Sequence, residues 1–111
     1  MKRLVLAASA AFLAASVPAV AADLTGKEVF DRHCVHCHGP GDAPATVQLD
    51  RTRGKGKGLL TERTDLAPEY IEYIVRHGLK SMPPFVPSDL TEAKLEALVG
   101  FLTKKEATGM K

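Results

Sequence analysis

Cys34-Val35-His36-Cys37-His38 constrains this chain more than any other stretch of it. The two cysteines of the sequence both stand in these five positions. Thiols three residues apart share one face of a helical turn, where each can add to a vinyl group on the same edge of a porphyrin. His38 follows directly and can turn beneath the ring to offer an imidazole nitrogen to the iron. C-x-x-C-H in this order is the attachment sequence of covalently bound haem c. A thioredoxin-like dithiol would need a βαβ context, and no strand pattern surrounds the motif. A zinc site would need a second Cys or His pair at ligand spacing. A plain disulfide leaves the adjoining histidine without a reason.

The first residues predict export. Lys2-Arg3 form a short positive region, Leu4 to Val17 an apolar run, and Pro18 precedes an Ala19-Val20-Ala21 cleavage signal. This is the pattern of a secretory signal peptide over residues 1–22, cut before Ala22 or before Asp23. The run is short for an uncleaved membrane anchor. No later stretch is apolar enough to enter a bilayer, so the mature chain is expected in the periplasm without membrane insertion. Residues 23–111 then form a single small domain, near the size at which a core alone is marginal. A buried porphyrin would supply the missing apolar surface. Without Lys2 and Arg3 the formal charge is zero, and nothing overall suggests nucleic acid. Locally, Arg51, Arg53, Lys55, Lys57 and Arg63 oppose only Glu62 within residues 51–63.

The mature chain reads as all-α, about three main helices wrapped round one cofactor. The first is capped by Thr25 with Glu28 reaching back, carries Val29 and Phe30, and runs into the haem motif near His33. Gly26 in its first turn is a poor helix former, which a close helix crossing would explain. The second helix is expected from Pro68, suited to the first helical position, to about His77. Gly78 is its stop, and Ile71, Ile74 and Val75 are its buried face. The third begins after Thr91, with Leu90 and Leu95 at hydrophobic-staple positions. Leu95, Leu98, Val99 and Leu102 follow helical spacing, and Phe101 widens that stripe. Residues 39–67, punctuated by Gly39, Pro40, Gly41, Pro44, Gly54, Gly56 and Gly58, are expected to be mostly loop.

An electron-carrying haem needs a second iron ligand opposite His38. Met82, Met110, His33, His36 and His77 are the candidates. His33 and His36 are tied to the attachment segment, and Met110 lies near the chain end. His77 would close the second helix, where a histidine suits the dipole. Met82 precedes Pro83-Pro84-Phe85, and two prolines forbid helix and stiffen the backbone. Met82 is therefore the expected ligand, against the ordinary use of methionine as a gap-filler.

Together these residues resemble the class I (mitochondrial-type) monohaem cytochromes c over essentially the whole mature region. The resemblance rests on Cys34-Val35-His36-Cys37-His38, on Met82 in Met-Pro-x-Phe, on Gly26 with Phe30, and on Leu98 with Phe101. It implies the small class I cytochrome c fold, with thioethers from Cys34 and Cys37 and axial ligands from His38 and Met82. It also implies that the first and last helices cross through the paired glycine, leucine and aromatic residues. With both axial positions filled, the expected role is outer-sphere transfer of one electron rather than catalysis.

Residues 59–85 are more narrowly similar to small cytochromes that accept electrons from periplasmic flavin dehydrogenases of the p-cresol methylhydroxylase type. That likeness suggests such a dehydrogenase as donor and a terminal oxidase or another cytochrome as acceptor. One departure stands out. The family's Gly-Pro-x-Leu, whose proline carbonyl accepts from the haem histidine, has only Gly39-Pro40 and Ala43-Pro44 as equivalents here. By position Pro44 is the expected acceptor. The basic stretch could face an acidic partner, neutralise haem propionates through Arg53 with Tyr70 or Tyr73, or simply be solvated. If Met82 left the iron open, the chain would instead be a ligand-binding or peroxidase-like haem module.

Overall fold

The fold is known from a computed structural model that describes residues 23–104. The expected signal peptide over 1–22 and Met110 lie outside the described residues. Among those described, five α-helices and one 3₁₀ turn form an all-α domain with no sheet. The helices are α1 (Gly26–His33), α2 (Val35–His38), α3 (Pro44–Arg53), α4 (Pro68–His77) and α5 (Glu92–Thr103), with the 3₁₀ turn at Leu60–Glu62. No helix among the described residues is long and apolar enough to cross a membrane.

α1 starts where a side chain can take its orphan amides. The Thr25 hydroxyl accepts from the Glu28 amide, and the Glu28 carboxylate accepts in return from the Thr25 amide at 2.8 Å. Gly26, Val29 and Phe30 are its buried residues. Its main partner is α5, which is capped by Thr91 and buries Leu95, Leu98, Val99 and Leu102. Phe30 meets Phe101 across this crossing, ring centres 5.8 Å apart and tilted by 54°. Such aromatic pairs add to the stabilisation from buried area alone.

α4 completes the core. Ile71 and Val75 bury against the same cluster, while Ile74 is half-buried. Pro68 opens the helix and Gly78 ends it, as the sequence predicts. Leu90, 1 % exposed, plugs the entry to α5.

The segment expected to be mostly loop departs from that expectation, because residues 44–53 form α3. Ala45, Val47 and Leu49 alternate in the sequence and give no helical stripe, and only Thr46 is buried in the helix. What holds α3 is local chemistry rather than an apolar face. Pro44 suits its first turn, and the Thr46 hydroxyl donates to the Gly39 carbonyl at 2.7 Å. At the other end the Asp50 carboxylate accepts from the amides of Gly56 and Gly58 at 3.0 and 2.7 Å. Beyond it, Asp65 accepts from both Arg63 and Lys57.

A small core makes each member count. Leu98→Ala is expected to cost about 2–5 kcal/mol of stability, read as a lowered midpoint of urea unfolding. Thr46→Val, which removes the tie to Gly39, should cost about 1 kcal/mol.

Candidate haem site

α1 and α2 meet at Cys34, which ends one helix and starts the other. Its amide donates to the Phe30 carbonyl at 2.9 Å, so the first thiol sits one turn beyond the α1–α5 aromatic pair. Its carbonyl accepts from the amides of Cys37 and His38 at 3.1 and 2.8 Å. One backbone oxygen thus gathers both cysteines and the histidine into a single turn. Gly39 follows under tight constraint, since a Cβ there would stand 2.5 Å from the Val35 carbonyl oxygen.

The two cysteines form no disulfide and differ in surroundings. Cys37 is exposed, whereas Cys34 is half-buried and packs against the core. Burial pushes the Cys34 thiol up to about 11, with Cys37 adding a smaller push. The His38 imidazole is held below its ordinary value by burial, which favours the neutral ring that a metal needs. Its Nδ1 is buried with no hydrogen-bond partner. The expected donation from His38 to the Pro44 carbonyl is therefore not made. Pro44 has instead been drawn into the first turn of α3.

The second half of the site is the turn after α4. Leu79 and Met82 exchange both backbone hydrogen bonds, at 3.1 and 3.0 Å, around Lys80 and Ser81. Lys80 takes a positive φ of 55° there. Gly78 enters the turn at φ 75°, and a Cβ on it would meet the Met82 carbonyl oxygen at 2.6 Å. Pro83 and Pro84 then carry the chain to Phe85, whose amide returns to the Val75 carbonyl at 2.8 Å.

Met82 is half-buried and rests on the core cluster that Cys34, Val35 and Phe85 also touch. The Phe85 ring stands edge-on to His33, centres 6.2 Å apart. The fold thereby brings the attachment segment and the Met-Pro-Pro-Phe segment together, although 45 positions in the sequence separate Cys37 from Met82. The other candidate ligands sit differently. His77 stacks on Tyr73 at 4.2 Å and donates through Nδ1 to the Tyr73 carbonyl, on the exposed side of α4. His36 is exposed. His33 is half-buried, with Nε2 unpartnered.

Of the basic stretch, Lys57 and Arg63 are engaged by Asp65, which they hold below the usual carboxylate range, Arg63 foremost. Arg51, Arg53 and Lys55 are exposed on α3 and its exit. Sequence reasoning missed Arg76, whose guanidinium ties α4 to the Met82 segment and to the start of α5. Its position in the last turn of α4 was the available signal, but it reads there as an ordinary helix-end cation.

Two thiols, a neutral imidazole and a thioether make a donor set that suits covalent haem. Among the described residues no three His, Cys, Asp or Glu side chains converge as a closed ion site would require. The unpartnered Nδ1 of His38 belongs to a ring whose other nitrogen can serve a metal.

Comparison with known proteins identifies the family. Residues 21–102 match the family described as cytochrome C oxidase, cbb3-type, subunit III, and the chain belongs to that family, as a c-type cytochrome domain. It is also similar to the 4-cresol dehydrogenase [hydroxylating] cytochrome c subunit of Pseudomonas putida, 30% identical over 83 residues, or 75% of this chain. The aligned region spans 62% of that relative's length. No solved structure matches. The family description names a subunit of an oxidase, and the relative's name a cytochrome c subunit of a dehydrogenase.

Two measurements follow. Gly78→Ala should lose about 1–3 kcal/mol of stability, because the added methyl meets both a backbone oxygen and a left-handed φ; thermal unfolding reads it. With both thiols free, Cys34 should alkylate in a slow phase at pH 8. That phase should quicken as pH rises toward about 11 and vanish in urea.

Proposed function

We propose that this chain is a periplasmic one-electron carrier, with haem c joined to Cys34 and Cys37 and its iron held by His38 and Met82. The observation that carries the reading is the meeting of the Cys34–His38 turn and the Met82–Phe85 segment over one core, sealed by His33 against Phe85. When bound, the haem supplies the Fe(III)/Fe(II) couple.

The protein's part is to hold its own atoms still. Cys34 and Cys37 are oriented by the shared Cys34 carbonyl, and burial keeps the His38 imidazole neutral as a donor. Met82 is stiffened by the two prolines after it and by its paired turn with Leu79. A thioether in place of a second imidazole favours ferrous iron and raises the potential. With His38 and Met82 both committed to holding the iron, no open site would remain for a substrate.

The likeness to a dehydrogenase cytochrome subunit supports a flavin dehydrogenase as electron donor. The family match supports a terminal oxidase, or a cytochrome serving one, as acceptor. Encounters of this kind use small, charge-guided interfaces, and the exposed Arg51, Arg53 and Lys55 offer such charge.

Exported protein from a host that matures c-type cytochromes should carry the mass of one haem, with neither cysteine open to alkylation. A colourless product with titratable thiols would overturn the reading. The wild type should be low-spin and leave carbon monoxide unbound. Met82→Ala should turn high-spin and bind it, and Met82→His should lower the potential by roughly 0.1 V or more, within the ~0.8 V that axial ligands command. Carbon monoxide binding to the wild type would instead identify an open-site haem module. A flavoprotein co-purifying from the native periplasm would support the proposed donor.

A further inference from the structure

The Met82–Phe85 segment has few means of holding its own position. Pro83 and Pro84 carry no amide hydrogen, so backbone donation is left to the two ends. Met82 donates to Leu79 within its own tight turn, and Phe85 donates to Val75 on α4. Among the described residues, Arg76 makes the only side-chain hydrogen bond to this segment, from Nη1 to the Phe85 carbonyl at 3.0 Å.

The same Nη1 donates to the Leu90 carbonyl at 2.8 Å, and Nη2 donates to Glu92 Oε1 at 2.6 Å. The guanidinium therefore joins three pieces of chain: the last turn of α4, the end of the Met82 segment, and the entry to α5. Its side chain is 17% exposed, although Glu92 is largely open to water. Glu72 of α4 and Glu92 and Glu96 of α5 line the same surface hollow, with Pro87 and Leu95. The carboxylates favour a cation there, and the carbonyls set its orientation. A planar fork can serve two carbonyls and a carboxylate together, which a lysine ammonium on a flexible stem does less well.

We propose that Arg76 is a positioning residue for Met82: by gripping the Phe85 and Leu90 carbonyls it fixes the Met82–Phe85 segment and limits how often the thioether leaves the iron. This rests on Met82 being the second axial ligand. Arg76 acts through the backbone at the far end of the segment. Charge-assisted bonds of this kind are stronger than neutral ones, and losing them raises the fraction of time the segment is open. An outside ligand that needs the open state then binds more tightly in proportion to that fraction.

The test uses the ferric, haem-loaded protein and imidazole as the competing ligand. The wild type should show the near-infrared charge-transfer band of thioether-bound ferric iron, and Met82→Ala should lack it. A wild type without that band overturns the Met82 reading, and the role of Arg76 falls with it. With the band present, Arg76→Gln should bind imidazole about tenfold or more tightly than wild type and show a lower reduction potential. Arg76→Lys should fall between the two. The variant Thr25→Ala, which removes the cap at the end of α1 remote from Cys34 and from this segment, should destabilise the protein yet keep near-wild-type imidazole affinity, which separates positioning from general loosening. Wild-type affinity and potential in both Arg76 variants overturn the proposal while leaving Met82 as ligand. If Arg76→Gln does not retain a folded haem protein, Arg76→Lys decides alone, and unchanged affinity there overturns it.

Discussion

The crossing of α1 and α5 is the contact on which the rest of this small domain is built. It buries Val29 and Phe30 on one side and Leu95, Leu98, Val99 and Leu102 on the other. Among the described residues, the nine buried hydrophobic side chains leave little redundancy. Few interactions elsewhere in the described chain are apolar enough to substitute for it. Both halves of the candidate site are attached to this crossing. Cys34 is hydrogen-bonded to Phe30, and the Met82 segment returns to the start of α5 through Leu90.

Polar contacts then do what the small core cannot. Thr46 ties the attachment turn to α3, Asp50 gathers the glycine-rich loop, and Asp65 closes the loop further on through Arg63 and Lys57. Arg76 makes the corresponding tie on the Met82 side. Three of these anchors engage backbone groups, which are present whatever side chain occupies the position. The glycines and prolines of the loops can therefore be numerous without leaving the site loose.

Much of this was legible in the sequence wherever a residue type has a single physical use. Thr25 with Glu28 can cap one helix, Pro68 and Gly78 bracket another, and the α5 stripe repeats at helical spacing. Each is as expected. α3 was not legible, because its apolar residues alternate and its stability comes from Thr46 and Asp50 acting on distant backbone. The expected pairing of His38 with the Pro44 carbonyl is not made, and Pro44 stands in the first turn of that same unforeseen helix. Arg76 escaped notice because its partners, Phe85 and Leu90, are backbone oxygens 9 and 14 positions away. Periodicity cannot report bonds of that kind.

Cys34 has one further implication as the hinge between two helices. Four positions separate it from Phe30, and the hydrogen bond between them makes that interval a ruler. Each residue of helix advances the phase by about 100°, so one insertion between them would swing both thiols away while Phe30 stayed seated. Length is therefore as strictly prescribed here as residue identity. Drift in this segment must proceed by replacement and never by gain or loss.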